Sequence, residues 1–283
     1  MVVFTLKKNL QSFLNYLKER NFQIGFVPTM GALHEGHLTL VKKSMDENNA
    51  TVVSIFVNPT QFDNQNDLKY YPRTLEKDLF LLENLDKDMI VYIPVAEDLY
   101  GGPVRAKAYD HGGLDRVMEG AYRPGHFDGV ATVVELLFDA VRPHRAYFGE
   151  KDFQQLQIIR HLVKSKKIPL EIRPVEIVRE GDGLAMSSRN LRLTPEWRKE
   201  APFLYHILRE AREMAQQGHS PGEIKRYVMQ QFEKETALRP DYFEIAEEET
   251  LQPADTFEPD KHYRAFVAAY AGDIRLIDNI RIK

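Results

Sequence analysis

Short apolar runs alternate with stretches of helical period over the first two thirds of the chain. Residues 22–27 (FQIGFV), 51–57 (TVVSIFV), 89–93 (MIVYI), 146–148 (AYF) and 171–178 (EIRPVEIV) read as strands. A run as continuous as TVVSIFV suits a strand buried on both faces, as in a parallel sheet. Before the first run, Leu6, Leu10, Phe13, Leu14 and Leu17 predict an amphipathic helix, as do Leu38, Leu40, Val41 and Met45 between the first two. Val130, Val133, Val134, Leu137, Phe138 and Val141 mark one helical face. Such alternation predicts an α/β fold with an open parallel sheet and helices on both faces. After residue 176 the order changes. Two helices (195–217 and 220–237) precede strand-like segments at 241–246 and 263–270 and the run RLIDNI. The expected division is a first domain over 1–176 and a smaller α+β lid domain over 177–283, with Gly181-Asp182-Gly183 in the link.

Composition narrows the function classes. The chain has 283 residues and a formal net charge of −4, so bulk charge draws it neither to nucleic acid nor to anionic membrane. It has no cysteine, which excludes disulfides, thiolate metal sites and cysteine nucleophiles. That absence fits a reducing, cytoplasmic setting. No apolar run approaches the roughly 20 residues of a bilayer-spanning helix, and the N-terminus lacks the pattern of a secretory signal.

Four segments carry candidate chemistry. TMGALHEGH (29–37) follows a strand and opens a helix, where α/β sheets bind ligands and free N–H groups face anions. From position alone, His34 and His37 could handle phosphate, ligate a metal with carboxylate help, or lie idle at the surface. In FVNPTQF (56–62), Asn58 and Pro59 end a strand, and Gln61 offers an amide that donates and accepts without charge. FGEKDFQQL (148–156) sets Lys151 at a helix start with Gln155 one turn on; Asp152 is alternatively a plain helix cap. In MSSRN (186–190), two hydroxyls and a guanidinium form either a phosphate-binding loop or a helix cap.

His34-Glu35-Gly36-His37 is similar to the HxGH signature of the nucleotidylyl-transferase superfamily, and MSSRN to a variant of its KMSKS loop. With YPRTLEKD (71–78), RPGHFDGV (123–130) and GDIRLIDN (272–279) added, the chain resembles the pantothenate synthetases, the pantoate–β-alanine ligase family. That resemblance implies a Rossmann-like sheet and an ATP-dependent condensation of (R)-pantoate with β-alanine through a pantoyl adenylate. It implies an ATP site made of Met30-Gly31-Ala32-Leu33-His34-Glu35-Gly36-His37, Gly149-Glu150-Lys151-Asp152, Val178 and Met186-Ser187-Ser188-Arg189. His34 and His37 would be catalytic. Gln61 and Gln155 would hold pantoate, and Gln61 also β-alanine. Mg²⁺ is expected with ATP as co-substrate, its protein ligands unspecified. Asp78 is a candidate carboxylate near it, although Lys77 stands where some relatives carry a second acid. The resemblance also implies a homodimer. The rivals are another HxGH transferase, a metal hydrolase and an RNA-binding module. The NPTQF and FQQ glutamines weigh against the first, and the acidic balance against the last.

Overall fold

The computed structural model describes residues 1–283. Its first sheet has six strands, β1 (Val2–Phe4), β2 (Ile24–Thr29), β3 (Ala50–Ile55), β4 (Ile90–Tyr92), β5 (Arg145–Gly149) and β6 (Glu171–Val175). The connecting helices are α1 (Lys7–Lys18), α2 (Glu35–Glu47), α3 (Gln65–Lys69), α4 (Leu75–Leu85), α5 (Ala96–Tyr100), α6 (Met118–Tyr122), α7 (His126–Val141) and α8 (Phe153–Ser165). The strands run in the order β1-β4-β3-β2-β5-β6, and every pairing is parallel.

Alternate residues of one strand serve opposite layers. Phe26, Val52, Tyr92, Ala146 and Phe148 pack with α1, α7 and α8, while Val27, Val53, Val91 and Tyr147 pack with α2 and α4. Both faces are therefore covered, which accounts for the unbroken apolar runs. Chain order turns back between β2 and β5. The crevice beyond the carboxyl ends of those two strands is the switch point where such sheets bind ligands.

The second sheet is antiparallel, in the order β7 (Arg239–Glu247), β8 (Tyr263–Ala271), β9 (Ile274–Arg281). Helices α9 (Pro195–Glu200), α10 (Phe203–Gln216) and α11 (Pro221–Glu235) precede it. Leu204, Ile207, Leu208, Ile224 and Val228 bury one face of that sheet. Its other face joins the first core through Ala246 and Phe266, with Leu251 added from the loop after β7. Central β8 is thus apolar on both sides.

Boundaries differ from expectation at identifiable residues. The single helix expected over 195–217 is two, because Pro202 has no N–H to continue a helical ladder and instead precedes a new start at Phe203. The strand expected to reach residue 178 ends at Val175, and a separate bridge pairs Arg179 with Ala185. Strand β1 has only three residues and was too short to show a period.

Candidate active site

The loop after β2 is tied down on three sides. Thr29 Oγ1 donates to the Ser54 carbonyl at 2.8 Å. The Ala32 and Leu33 N–H groups donate to the buried Asp78 carboxylate at 2.9 and 2.8 Å, and Thr74 Oγ1 donates to it at 3.0 Å. Asp78 is spent on this loop. It serves as a backbone clamp. From the other side, Ser188 Oγ donates to the Ala32 carbonyl at 3.0 Å.

So fixed, the loop delivers His34 to the N-terminal flank of α2 and His37 one turn on, with ring centroids 4.0 Å apart. Gly36 lets the two rings stand this close without crowding. A Cβ there would lie 3.0 Å from two atoms of the His34 ring. The His34 N–H donates to His37 Nδ1 at 3.4 Å, so neutral His37 carries its proton on Nε2. His34 Nδ1 is buried without a partner. Burial, then Lys151, lowers the pKa of His34 to about 4. Burial, then His34 and Lys151, lowers that of His37 to about 3. Both imidazoles are neutral hydrogen-bonding groups near pH 7.

Beyond β3, a 3-10 turn over Pro59–Gln61 presents Gln61. Asn58 Nδ2 donates to Gln61 Oε1 at 3.1 Å, and the Tyr100 hydroxyl donates to Asn58 Oδ1 at 2.6 Å. The Gln61 amide nitrogen is therefore directed toward Met30, whose sulfur lies 3.1 Å away. Behind the turn, His126 Nδ1 donates to the Gln61 carbonyl at 2.7 Å, and Arg123 Nη1 donates to His126 Nε2 at 3.2 Å. Burial, then Arg123, lowers the His126 pKa to about 4, consistent with that neutral tautomer. Gly129 allows the close approach of α7, since a Cβ there would sit 2.2 Å from the Thr60 carbonyl oxygen.

After β5, a 3-10 turn over Glu150–Asp152 carries Lys151. Asp152 begins α8 without a side-chain capping bond, and its carboxylate lies 3.9 Å from Lys151 Nζ. Glu150 turns away to Arg264, at 3.1 Å. In the fourth segment, Arg189 and Arg192 share the two oxygens of Asp67 at 2.6 and 2.7 Å. Burial opposes ionisation of Asp67, but the two guanidiniums outweigh it and lower its pKa.

These elements enclose one cavity of ≈ 220 Å³. Met30, His34, Gly36, His37, Gln61, Gly149, Lys151, Asp152, Gln155, Val178 and Met186 through Arg189 all line it. It adjoins a more polar cleft of ≈ 550 Å³ through Lys151, Asp152, Ser187 and Arg189. Gly31, Ala32, Leu33, Glu35 and Glu150 do not line the cavity. The first three shape the loop, and Glu35 faces outward to Lys42 at 2.7 Å. Among the contributors that the sequence does not reveal, Asn58 reads only as a strand break and His126 carries no assigned role, although RPGHFDGV contains it. No group of three or more His, Asp or Glu side chains is placed to hold a metal, so the two histidines lack the further ligand that a hydrolase site would need.

The family model described as Pantoate-beta-alanine ligase matches residues 2–281. A pantothenate synthetase of Flavobacterium psychrophilum is 48% identical over 283 residues, covering 100% of both chains. One of Christiangramia forsetii is 49% identical over 282 residues, covering 100% of this chain and 99% of the relative. Among solved structures, the pantothenate synthetase of Thermus thermophilus superposes with a TM-score of 0.92 at 43% identity, over 100% of this chain and 99% of that one. The pantoate–β-alanine ligase of Francisella tularensis, complexed with β-γ ATP and β-alanine, gives 0.80 at 35% identity, over 99% and 97%.

Proposed function

The chain belongs to the pantoate–β-alanine ligase family, and from that premise we propose how its residues divide the family's reaction. The reaction condenses (R)-pantoate with β-alanine at the expense of ATP. A pantoate carboxylate oxygen attacks the α-phosphorus, the bond to the β-phosphate breaks, and pyrophosphate leaves. The β-alanine amine then attacks the acyl carbon of pantoyl adenylate. The acyl–oxygen bond breaks, AMP departs, and the amine loses a proton to give pantothenate.

The observation that carries the division is that neutral imidazoles and uncharged amides face one cavity from different strands. His37 Nε2–H and His34 donate to phosphate oxygens as charge builds on them, and Lys151 and Arg189 supply the fixed positive charge. Gln61 and Gln155 hold pantoate without a cation that would quench its carboxylate, and Gln61 also meets β-alanine. Val178 borders the adenine, and Ser187 and Ser188 close over the phosphates. Mg²⁺ accompanies ATP as part of the substrate, ligated by phosphate and water.

In this reading residues 1–176 bind the nucleotide and the acid, and 177–283 form the smaller lid. The assembly is a homodimer in the cytoplasm. The family's resemblance supports the homodimer, and the lack of cysteine fits a reducing compartment. No helix is long and apolar enough to cross a membrane. The test is an assay with each component withheld in turn. ATP and pantoate alone should release pyrophosphate, while AMP and pantothenate should appear in quantity only with β-alanine. Pyrophosphate release that requires β-alanine would overturn the order of steps.

A further inference from the structure

We infer that Asn279, held by Arg264, is a positioning residue that sets where Lys151 reaches into the cavity. The inference rests on the reading above, in which Lys151 meets the nucleotide phosphates. Lys151 stands on a single 3-10 turn between β5 and α8, and a lysine stem is flexible. Where its charge lies therefore depends on how firmly the turn is held.

The hold comes from the second sheet. Asn279 Nδ2 donates to the Glu150 carbonyl at 3.0 Å and to the Lys151 carbonyl at 2.8 Å. One amide group thus takes two of the turn's three carbonyls, and Asn279 itself does not line the cavity. The orientation of that amide is chemically fixed. Arg264 Nη1 donates to Asn279 Oδ1 at 2.6 Å, and a flipped amide would set N–H against N–H.

Arg264 is itself immobilised. Its Nε donates to Glu248 at 2.8 Å, its Nη2 to Glu150 at 3.1 Å, and its guanidinium lies 4.0 Å from the Phe153 ring centroid. Asn279 and Arg264 are 2% and 4% exposed. Buried ion pairs of this kind are weak evidence for stability; what this one does fix is geometry. It also draws the Glu150 carboxylate away from the cavity, so that charge does not oppose Lys151. Through Asn279, which does not line the ≈ 220 Å³ cavity, the segment GDIRLIDN thereby reaches the chemistry by way of Lys151.

A double-mutant cycle on the full chain tests this. Pyrophosphate release from ATP and pantoate is measured for Asn279→Ala, Lys151→Ala and the double variant, with thermal melting alongside. Asn279→Ala should lower kcat/KM for ATP by roughly 10- to 100-fold, the scale of an ångström-sized misplacement, with the pantoate KM unchanged. The double variant should match Lys151→Ala alone, because a residue acting through Lys151 loses its effect without it. Asn279→Asp keeps the volume and the Arg264 contact but removes the donors, and it should reproduce the loss if the alanine variant folds poorly. Losses that multiply in the double variant overturn the inference. So does a near-wild-type rate for both Asn279 variants beside an impaired Lys151→Ala, which leaves the Lys151 reading standing. A near-wild-type Lys151→Ala removes that reading and the inference with it.

Discussion

The two halves of the cavity are built in opposite ways. The phosphate half has a contiguous centre, since eight consecutive residues, Met30 through His37, supply the turn, the helix start and both imidazoles, while Asp78 and Ser188 hold that loop from later in the chain. The acid half is assembled from distant segments. Gln61 takes its orientation from Asn58 beside it, and its backbone is held by His126 on α7. A local motif places its donors by backbone geometry. A distributed one also depends on side chains such as that of His126, which does not line the cavity.

The largest effect should come from breaking the phosphate half. His37→Ala removes one donor to a phosphate gaining charge, a loss of ~3 kcal/mol of transition-state stabilisation, or about 100-fold in kcat for adenylate formation. Pyrophosphate release and equilibrium ATP binding, measured together, should show a collapsed rate with affinity largely kept. In the acid half, Gln61→Ala should raise the pantoate KM by about 10-fold and leave the ATP KM within about 2-fold, as loss of one uncharged hydrogen bond implies. An unchanged pantoate KM would remove Gln61 from the site.

His126→Ala sharpens the contrast. It should raise the pantoate KM by several-fold, the scale of ~1 kcal/mol for one lost hydrogen bond. His126→Asn, whose amide can stand where Nδ1 does, should restore most of it. Equal damage by both substitutions would mean that the imidazole only fills space.

The last effect is on folding stability against pH and leaves the catalytic rate aside. His34 and His37 hold pKa values of about 4 and 3 when folded, below the ordinary 6.5. Between pH 6.5 and about 4 the unfolded chain takes up protons that the folded chain refuses. Folding stability therefore falls as pH drops through that window. Denaturant midpoints of the wild type should decline there more steeply than those of a His34→Gln/His37→Gln variant. Parallel declines would show that the imidazoles are not buried as described.

The same contrast governs what could be read from the sequence. The sheet was legible because β2, β3 and β4 are buried on both faces and so carry unbroken apolar runs. Strand β1 was not, since three residues at an edge, with Val2 and Val3 exposed, show no period. The HxGH half was visible because its spacing is its geometry. His126 was hidden on a helix whose apolar face explains its burial without any role. Asn279 sits in a strand, and nothing local shows that its amide reaches a turn 128 residues earlier. Glu150 and Glu35 shared segments with true lining residues, but their partners, Arg264 and Lys42, turn them outward. Contiguity in sequence gave the segment, and only tertiary contacts gave the direction of each side chain.

The most direct test of a cavity shared by both halves uses pantoate labelled with ¹⁸O in its carboxylate. If the acid held by the glutamines attacks the phosphorus held by the histidines, one labelled oxygen leaves with AMP and the other remains in the amide carbonyl of pantothenate. Unlabelled AMP from fully labelled pantoate would contradict the account.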